Sequence, residues 1–216
     1  MFDRVLKVFL TMAIAAAIAT TVLPGRGQGA QTPAAQPAQK NWKDRAEYDL
    51  YNAIVKEQDA SKRLALLNSW KEKYPTSDYA DARLQIYVTT YAALNQPDKV
   101  IATGNEVLQS DPKNLTVLYM MAQNVLGITK PTPDDLASGE KAANGLISNL
   151  DTFFDSSKKP ATTSDADWAK AKTQTETLAH TSLGWIALQR KDNETAEKEF
   201  TQSLKLTPNN AQVSYW

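Results

Sequence analysis

The chain of 216 residues has no cysteine and a single histidine, His180. Without cysteine it forms neither a disulfide nor a thiolate metal site, and one histidine removes most zinc arrangements and most histidine-centred catalytic sets. Net charge is absent too. Lys+Arg and Asp+Glu number 24 each, so no overall field draws in a nucleic-acid backbone, and no basic run is interleaved with aromatics. The stretch PGRGQG, 24–29, lacks the Lys-Ser/Thr ending of a phosphate loop. Nucleic acid, a metal and a cofactor are therefore not expected, and the chemistry on offer is that of carboxylates, lysines and hydroxyls. What is present is the balance of a folded protein: 42 % apolar and 22 % charged residues.

The first thirty residues, MFDRVLKVFLTMAIAAAIATTVLPGRGQGA, place Arg4 and Lys7 before an apolar run from Val8 to Leu23, followed by Pro24 and small residues. That order is the build of a secretory signal peptide. The run is short for a membrane span, which needs about 20 apolar residues, and it carries Thr11, Thr20 and Thr21. Removal after Gly29 or Ala30 predicts a periplasmic or secreted protein; retention predicts an inner-membrane anchor, which would be its sole link to a membrane. With no cysteine there is no lipid attachment. Cleavage removes Arg4, Lys7, Arg26 and Asp3, leaving 21 basic and 23 acidic residues of the original 24 and 24. Residues 31–41, QTPAAQPAQKN, read as a flexible Pro/Gln/Ala tether.

From Trp42 onward, helix-length segments with apolar residues at three- and four-residue spacing alternate with turns containing Pro and Asn. Strand signals are scarce. LLNSWKEKYPTSD (66–78), GNEVLQSDPKNL (104–115) and FTQSLKLTPNNA (200–211) share a cadence in which a helix ends, a proline follows and a new helix begins. Proline stops a helix because its ring excludes the next hydrogen bond. Asp134 and Asp135 suit the start of a helix, where negative charge meets the dipole. Ser164 or Asp165 is expected to cap another. SSKKP, 156–160, reads as a solvated loop.

Within 177–210, Leu183 and Gly184 are followed by Ala196 twelve residues after the glycine, Phe200 four further on and Pro208 eight after that. This spacing resembles the tetratricopeptide repeat (TPR), in which small residues let two helices approach and an aromatic fills the gap to the neighbour. The departures are His180, Ala187 and Ser203, where the family favours Trp, Tyr and Ala. Framing on Pro112 gives a looser repeat at 81–114, with Gly104 where the aromatic should stand. Framing on Pro75 gives 44–77, with Arg63 in the usual small position. A further unit starts at Leu115, its frame broken by GITKPTP and by the segment 151–168. The organisation expected is degenerate repeats over 42–126, an irregular repeat with an insertion over 127–176, a well-matched repeat over 177–210 and the start of another at 211–216. Because Val213, Tyr215 and Trp216 would leave an apolar edge without a polar cap, a fragment of a longer protein is one expectation and a true terminus with packed aromatics the other.

The resemblance implies an all-α fold, a right-handed α-solenoid of antiparallel helix-turn-helix repeats, with a concave surface lined by first helices. In the family that surface commonly binds peptides or protein segments. Its groove positions fall here on Tyr48, Asn52 and Lys56; on Gln85 and Thr89; on Tyr119 and Gln123; and on Thr181, Trp185 and Gln189. Amides pair with a peptide backbone, and aromatics supply contact area at low entropic cost. Inter-repeat packing is the competing role for each of them. The Lys-Asn-Arg set with which some members hold a C-terminal carboxylate is not reproduced: Tyr48 stands where Lys is wanted, and of that set Asn52 alone matches. His180 falls at a packing position, with Glu176 four residues before it. The reading is a non-catalytic scaffold. Its rivals are a membrane-anchored assembly or secretion accessory and a docking module of a longer enzyme.

Overall fold

The computed structural model describes residues 44–215; the expected signal peptide, the tether and Trp216 lie outside them. All regular structure among the described residues is helical. The helices are α1 (Arg45–Lys56), α2 (Ala60–Lys73), α3 (Ala80–Ala93), α4 (Pro97–Ser110), α5 (Leu115–Val125), α6 (Pro133–Phe153), α7 (Asp165–Gln189), α8 (Asn193–Leu206) and the short α9 (Ala211–Tyr215), with one 3₁₀ turn at Ser156–Lys158. None is long and apolar enough to cross a membrane.

Short polar side chains start most of these helices by accepting from backbone N–H groups that have no partner within the helix. Asp44, Asp59, Asn114, Ser164 and Asp192 do so, and Thr132 with Asp135 forms a reciprocal capping box ahead of α6. The expected helix starts at Asp134–Asp135 and at Ser164 are thus present. Prolines set the ends. Tyr74, Asp111 and Thr207 each precede a proline, which disfavours helical ψ. All three adopt the same non-helical backbone, φ/ψ of −132/65°, −131/78° and −141/84°. Each closes a 14-residue helix.

The connections before α4 and α8 are also alike. Asn95 and Lys191, ninety-six residues apart, both take a left-handed backbone, with φ of 53° and 62°. In each turn the next residue's N–H reaches back to the helix just ended, Gln96 to Tyr91 O at 3.0 Å and Asp192 to Ala187 O at 2.9 Å. Asn95 N–H meets Ala92 O and Lys191 N–H meets Leu188 O, both at 3.0 Å. This pair of bonds is a Schellman closure, and it satisfies carbonyls that the helix end leaves open.

Consecutive helices pack against one another, and α3 also meets α5, α4 meets α6, and α5 meets α7. The main core runs from Val88 on α3 to Val213 on α9, with Val100, Val117, Met121, Val125, Leu146 and Ile186 almost wholly buried. A smaller cluster of Ile54, Leu67, Trp70 and Tyr87 ties α1 and α2 to α3. The helices α7 and α8 form the most extensive pairing. There a Cβ added at Gly184 would lie 2.5 Å from the Phe200 ring, so glycine is what allows the ring to lie on α7. Ala196 is buried beside them, Leu183 is half-buried against the core, and Pro208 is exposed in its turn. Arg63, in place of a small residue, is accommodated by donating to Thr90 Oγ1 at 2.9 Å and to Glu57 O at 3.0 Å.

The 25-residue α7 binds different neighbours along its length. Near its start Trp168 Nε1 donates to Phe154 O at 3.1 Å and Lys172 pairs with Asp151 at 2.6 Å, while further on Ser182 donates to Ala122 O of α5 at 2.7 Å.

Candidate functional site

The expected groove residues occupy α1, α3, α5 and α7, recurring at four-residue spacing on each helix, so each set shares one face. Their exposure changes along the row. On α1, Tyr48 and Lys56 are exposed and Asn52 is half-buried; Arg45 lies 5.7 Å from the centre of the Tyr48 ring. On α3, Gln85 and Thr89 are half-buried, and the Thr89 hydroxyl donates to Ile86 O. On α5, Gln123 is half-buried but Tyr119 is buried, and that burial pushes its phenol up to about 12. On α7, Gln189 is exposed, whereas Thr181 and Trp185 are buried. Thr181 Oγ1 lies 2.8 Å from Ser203 Oγ on α8, which fixes its direction toward that helix. The side chains of Tyr119, Thr181 and Trp185 are therefore packed between helices, and the accessible part of the row is Tyr48, Asn52, Lys56, Gln85, Thr89, Gln123 and Gln189.

Sequence reading missed the partner of His180. Its Nδ1 is 2.7 Å from Glu199 Oε2 on α8, with both side chains mostly covered, and Glu176 on its own helix is not the partner. A carboxylate at this nitrogen orients the ring and favours the tautomer protonated there. The spacing of nineteen residues carries no local signal; only the pairing of α7 with α8 brings the two together.

A second feature lies at the turn between α2 and α3. Glu47 is 8 % exposed, and its Oε1 accepts both the Trp70 indole N–H, at 2.7 Å, and the Ser77 hydroxyl. Arg83, 5 % exposed, stands over the Trp70 ring at 5.4 Å and donates to the carbonyls of Tyr74 and Trp70 at the end of α2. Desolvation lowers the Arg83 pKa, offset in part by Tyr87 and then by the charge of Glu47. A buried ion costs several kcal/mol unless paired and hydrogen-bonded; here Glu47 Oε1 has two donors, and Arg83 Nη1 has two carbonyls with the guanidinium over the Trp70 ring. A partly open cavity of about 260 Å³ adjoins Glu47, bounded by Lys73, Tyr74, Ser77, Asp78 and Tyr79. Burial first, then a hydrogen bond to Asp44, raises the pKa of the Tyr74 phenol.

Among the described residues no group of three or more His, Asp and Glu side chains is placed to hold a metal ion. No family model matches the chain, and no curated protein or solved structure matches it.

Proposed function

We propose that the helix pairs are TPR-like hairpins stacked antiparallel into a right-handed solenoid, and that the solenoid is a non-catalytic scaffold in the bacterial envelope. It binds a peptide or protein segment along the face carried by α1, α3, α5 and α7. The observation that carries this reading is the recurrence of one unit: a three-residue connection, a 14-residue helix, one non-helical residue and a proline, at Glu57–Pro75, Leu94–Pro112 and Arg190–Pro208. Contacts between next-but-one helices are what stacked two-helix units produce. Export rests on the order of residues 1–30.

The accessible row offers amides and one tyrosine, a set suited to an extended backbone. The test is site-specific photo-crosslinking in envelope-bearing cells, with the full chain carrying a photo-reactive residue in place of Asn52, Gln85 or Gln123, and at Lys62 or Lys198 as controls on second helices. The expected result is one discrete protein adduct from the row positions and none from the controls. Adducts from the control positions alone would overturn the groove.

A further inference from the structure

The helix pairs are not held equally. Among the described residues next-but-one packing links α3 to α5, α4 to α6 and α5 to α7, and no packing of that extent links α1 to α3 or α2 to α4. Helices α1 and α2 together bury three apolar side chains, Ile54, Leu67 and Trp70, where α3 and α4 bury six and α7 and α8 nine. This hairpin therefore has the least apolar burial to hold it in place.

Its seam with the rest of the fold is the packing of α2 on α3, and much of that seam is polar. Beside the turn, Arg83 donates to the carbonyls of Tyr74 and Trp70 and stands over the Trp70 ring. Further along α2, the Tyr87 hydroxyl donates to Asn68 Oδ1 at 2.9 Å, and at the far end Arg63 Nε donates to Thr90 Oγ1 at 2.9 Å. Leu67 and Trp70 meet Tyr87 in a cluster separate from the main core. The two bonds at the far end can be exchanged for water at small net cost, since an internal hydrogen bond contributes little beyond the one that water supplies. The Thr90 hydroxyl also keeps its own bond to Ile86 O when Arg63 leaves.

The turn that joins α2 to α3 has room to bend. It is six residues long, 74–79, where the turns after α4 and α8 have four, 111–114 and 207–210. The partly open cavity of about 260 Å³ is lined by this turn, so its backbone can shift without displacing packed side chains.

We propose that the α1–α2 hairpin is a rigid flap that swings on the α2–α3 turn, pinned at the hinge by Arg83 and latched at its free end by the Asn68–Tyr87 and Arg63–Thr90 bonds. The swing carries Tyr48, Asn52 and Lys56 away from Gln85 and Thr89, and so changes the width of the row at its first step. The motion does not depend on what that row binds.

The absence of cysteine allows spin labels to be placed in the full chain without background. Three double variants, Lys62→Cys, Lys71→Cys and Gln109→Cys, each combined with Lys198→Cys, place labels at the free end of the flap, near its hinge and on the body, all at exposed positions. Pulsed electron–electron resonance should give a broad or two-peaked distance distribution from position 62, a narrower one from 71 and the narrowest from 109, because displacement grows with distance from the hinge. Adding Tyr87→Phe and Thr90→Val removes both latching bonds with little change in shape, and should raise the ratio of long to short distances from 62 about tenfold. If that combination does not fold, Tyr87→Phe alone should raise the ratio about threefold. A narrow distribution from 62 that widens only in the latch variant supports the flap. Equal widening from 62 and 71 would mean that the hairpin melts and does not swing, and three narrow distributions unmoved by the variant would mean that it is fixed; either overturns the proposal. The distances are read with no ligand present, so failure of the groove leaves them untouched.

Discussion

The helix pairs α3/α4 and α7/α8 keep the same turn and exchange their packing. Position for position, ninety-six residues apart, Asn95 matches Lys191 and the pre-proline residue Asp111 matches Thr207, all in the same backbone conformations. Inside the pair, Gly184 facing Phe200 in one is Val88 with Gly104 in the other. Where Phe200 is missing, the side chain that occupies the space over Gly104 is Met121 of the next helix, whose Sδ would lie 2.5 Å from an added Cβ. Turn geometry is dictated by one or two local residues and is kept. Core volume is shared by several residues and can be redistributed, provided the space is filled.

The largest effect that breaks the comparison is Phe200→Ala. It leaves α7 and α8 without their filler, and a loss of about 3–5 kcal/mol is expected in urea unfolding. A change below about 1 kcal/mol would mean the pair collapses as freely as α3/α4.

Next comes the contrast of Gly184→Ala with Gly104→Ala. The first drives a methyl into a rigid ring and should cost about 1–3 kcal/mol. The second meets a thioether with three rotatable bonds, and about 0.5–1 kcal/mol of helix preference for Ala over Gly should make it near neutral. Equal costs by thermal melting would refute the exchange.

Alkali should separate the pairs as well. Tyr87 on α3 is pushed up to about 12, by burial first and by Tyr91 second, whereas Leu183 holds the matching place on α7. A raised phenol pKa means the folded state holds its proton while the unfolded chain loses it, so this contribution is intact below pH 10 and falls away between 10 and about 12. Tyr87→Leu should flatten the decline in stability above pH 10; an unaltered decline would assign it to Tyr119, shifted alike.

The smallest effect is Lys191→Gly, expected to raise stability by up to about 1 kcal/mol by relieving a left-handed backbone. Asn95→Gly should gain less, because Asn tolerates that region. Equal gains would show that the two turns are not strained differently.

How far the sequence reveals this depends on how local each cause is. Pro75, Pro112 and Pro208 announce three helix ends because a proline acts on the residue before it. Asp134–Asp135 and Ser164 announce two starts because first-turn charge and a capping hydroxyl also act locally, while the Thr132 cap itself went unread. The spacing from Gly184 to Phe200 also reads directly, since the two residues meet across one turn. Coverage of a helix face does not read so: Tyr119, Thr181 and Trp185 are enclosed by helices that come from elsewhere in the chain, and alternation on their own helix cannot report it. Glu47 is harder still. In a first turn it reads as a partner for the helix dipole, and its bonds to Trp70 and Ser77 span twenty-three and thirty residues.

The unbroken run of α7 has a mechanical consequence. At 1.5 Å per residue it is a rod of about 37 Å, beside an α8 of about 21 Å. It is fastened to α6 at both ends, near its start through Trp168 and Lys172 and at its close through Arg190, which pairs with Glu140 at 2.7 Å; between them Ser182 ties it to α5, and its second half carries α8. A tug on α8 therefore meets a stiff rod pinned to α6 at two places about 27 Å apart, so load is shared between the pins and α7 is held against rotation.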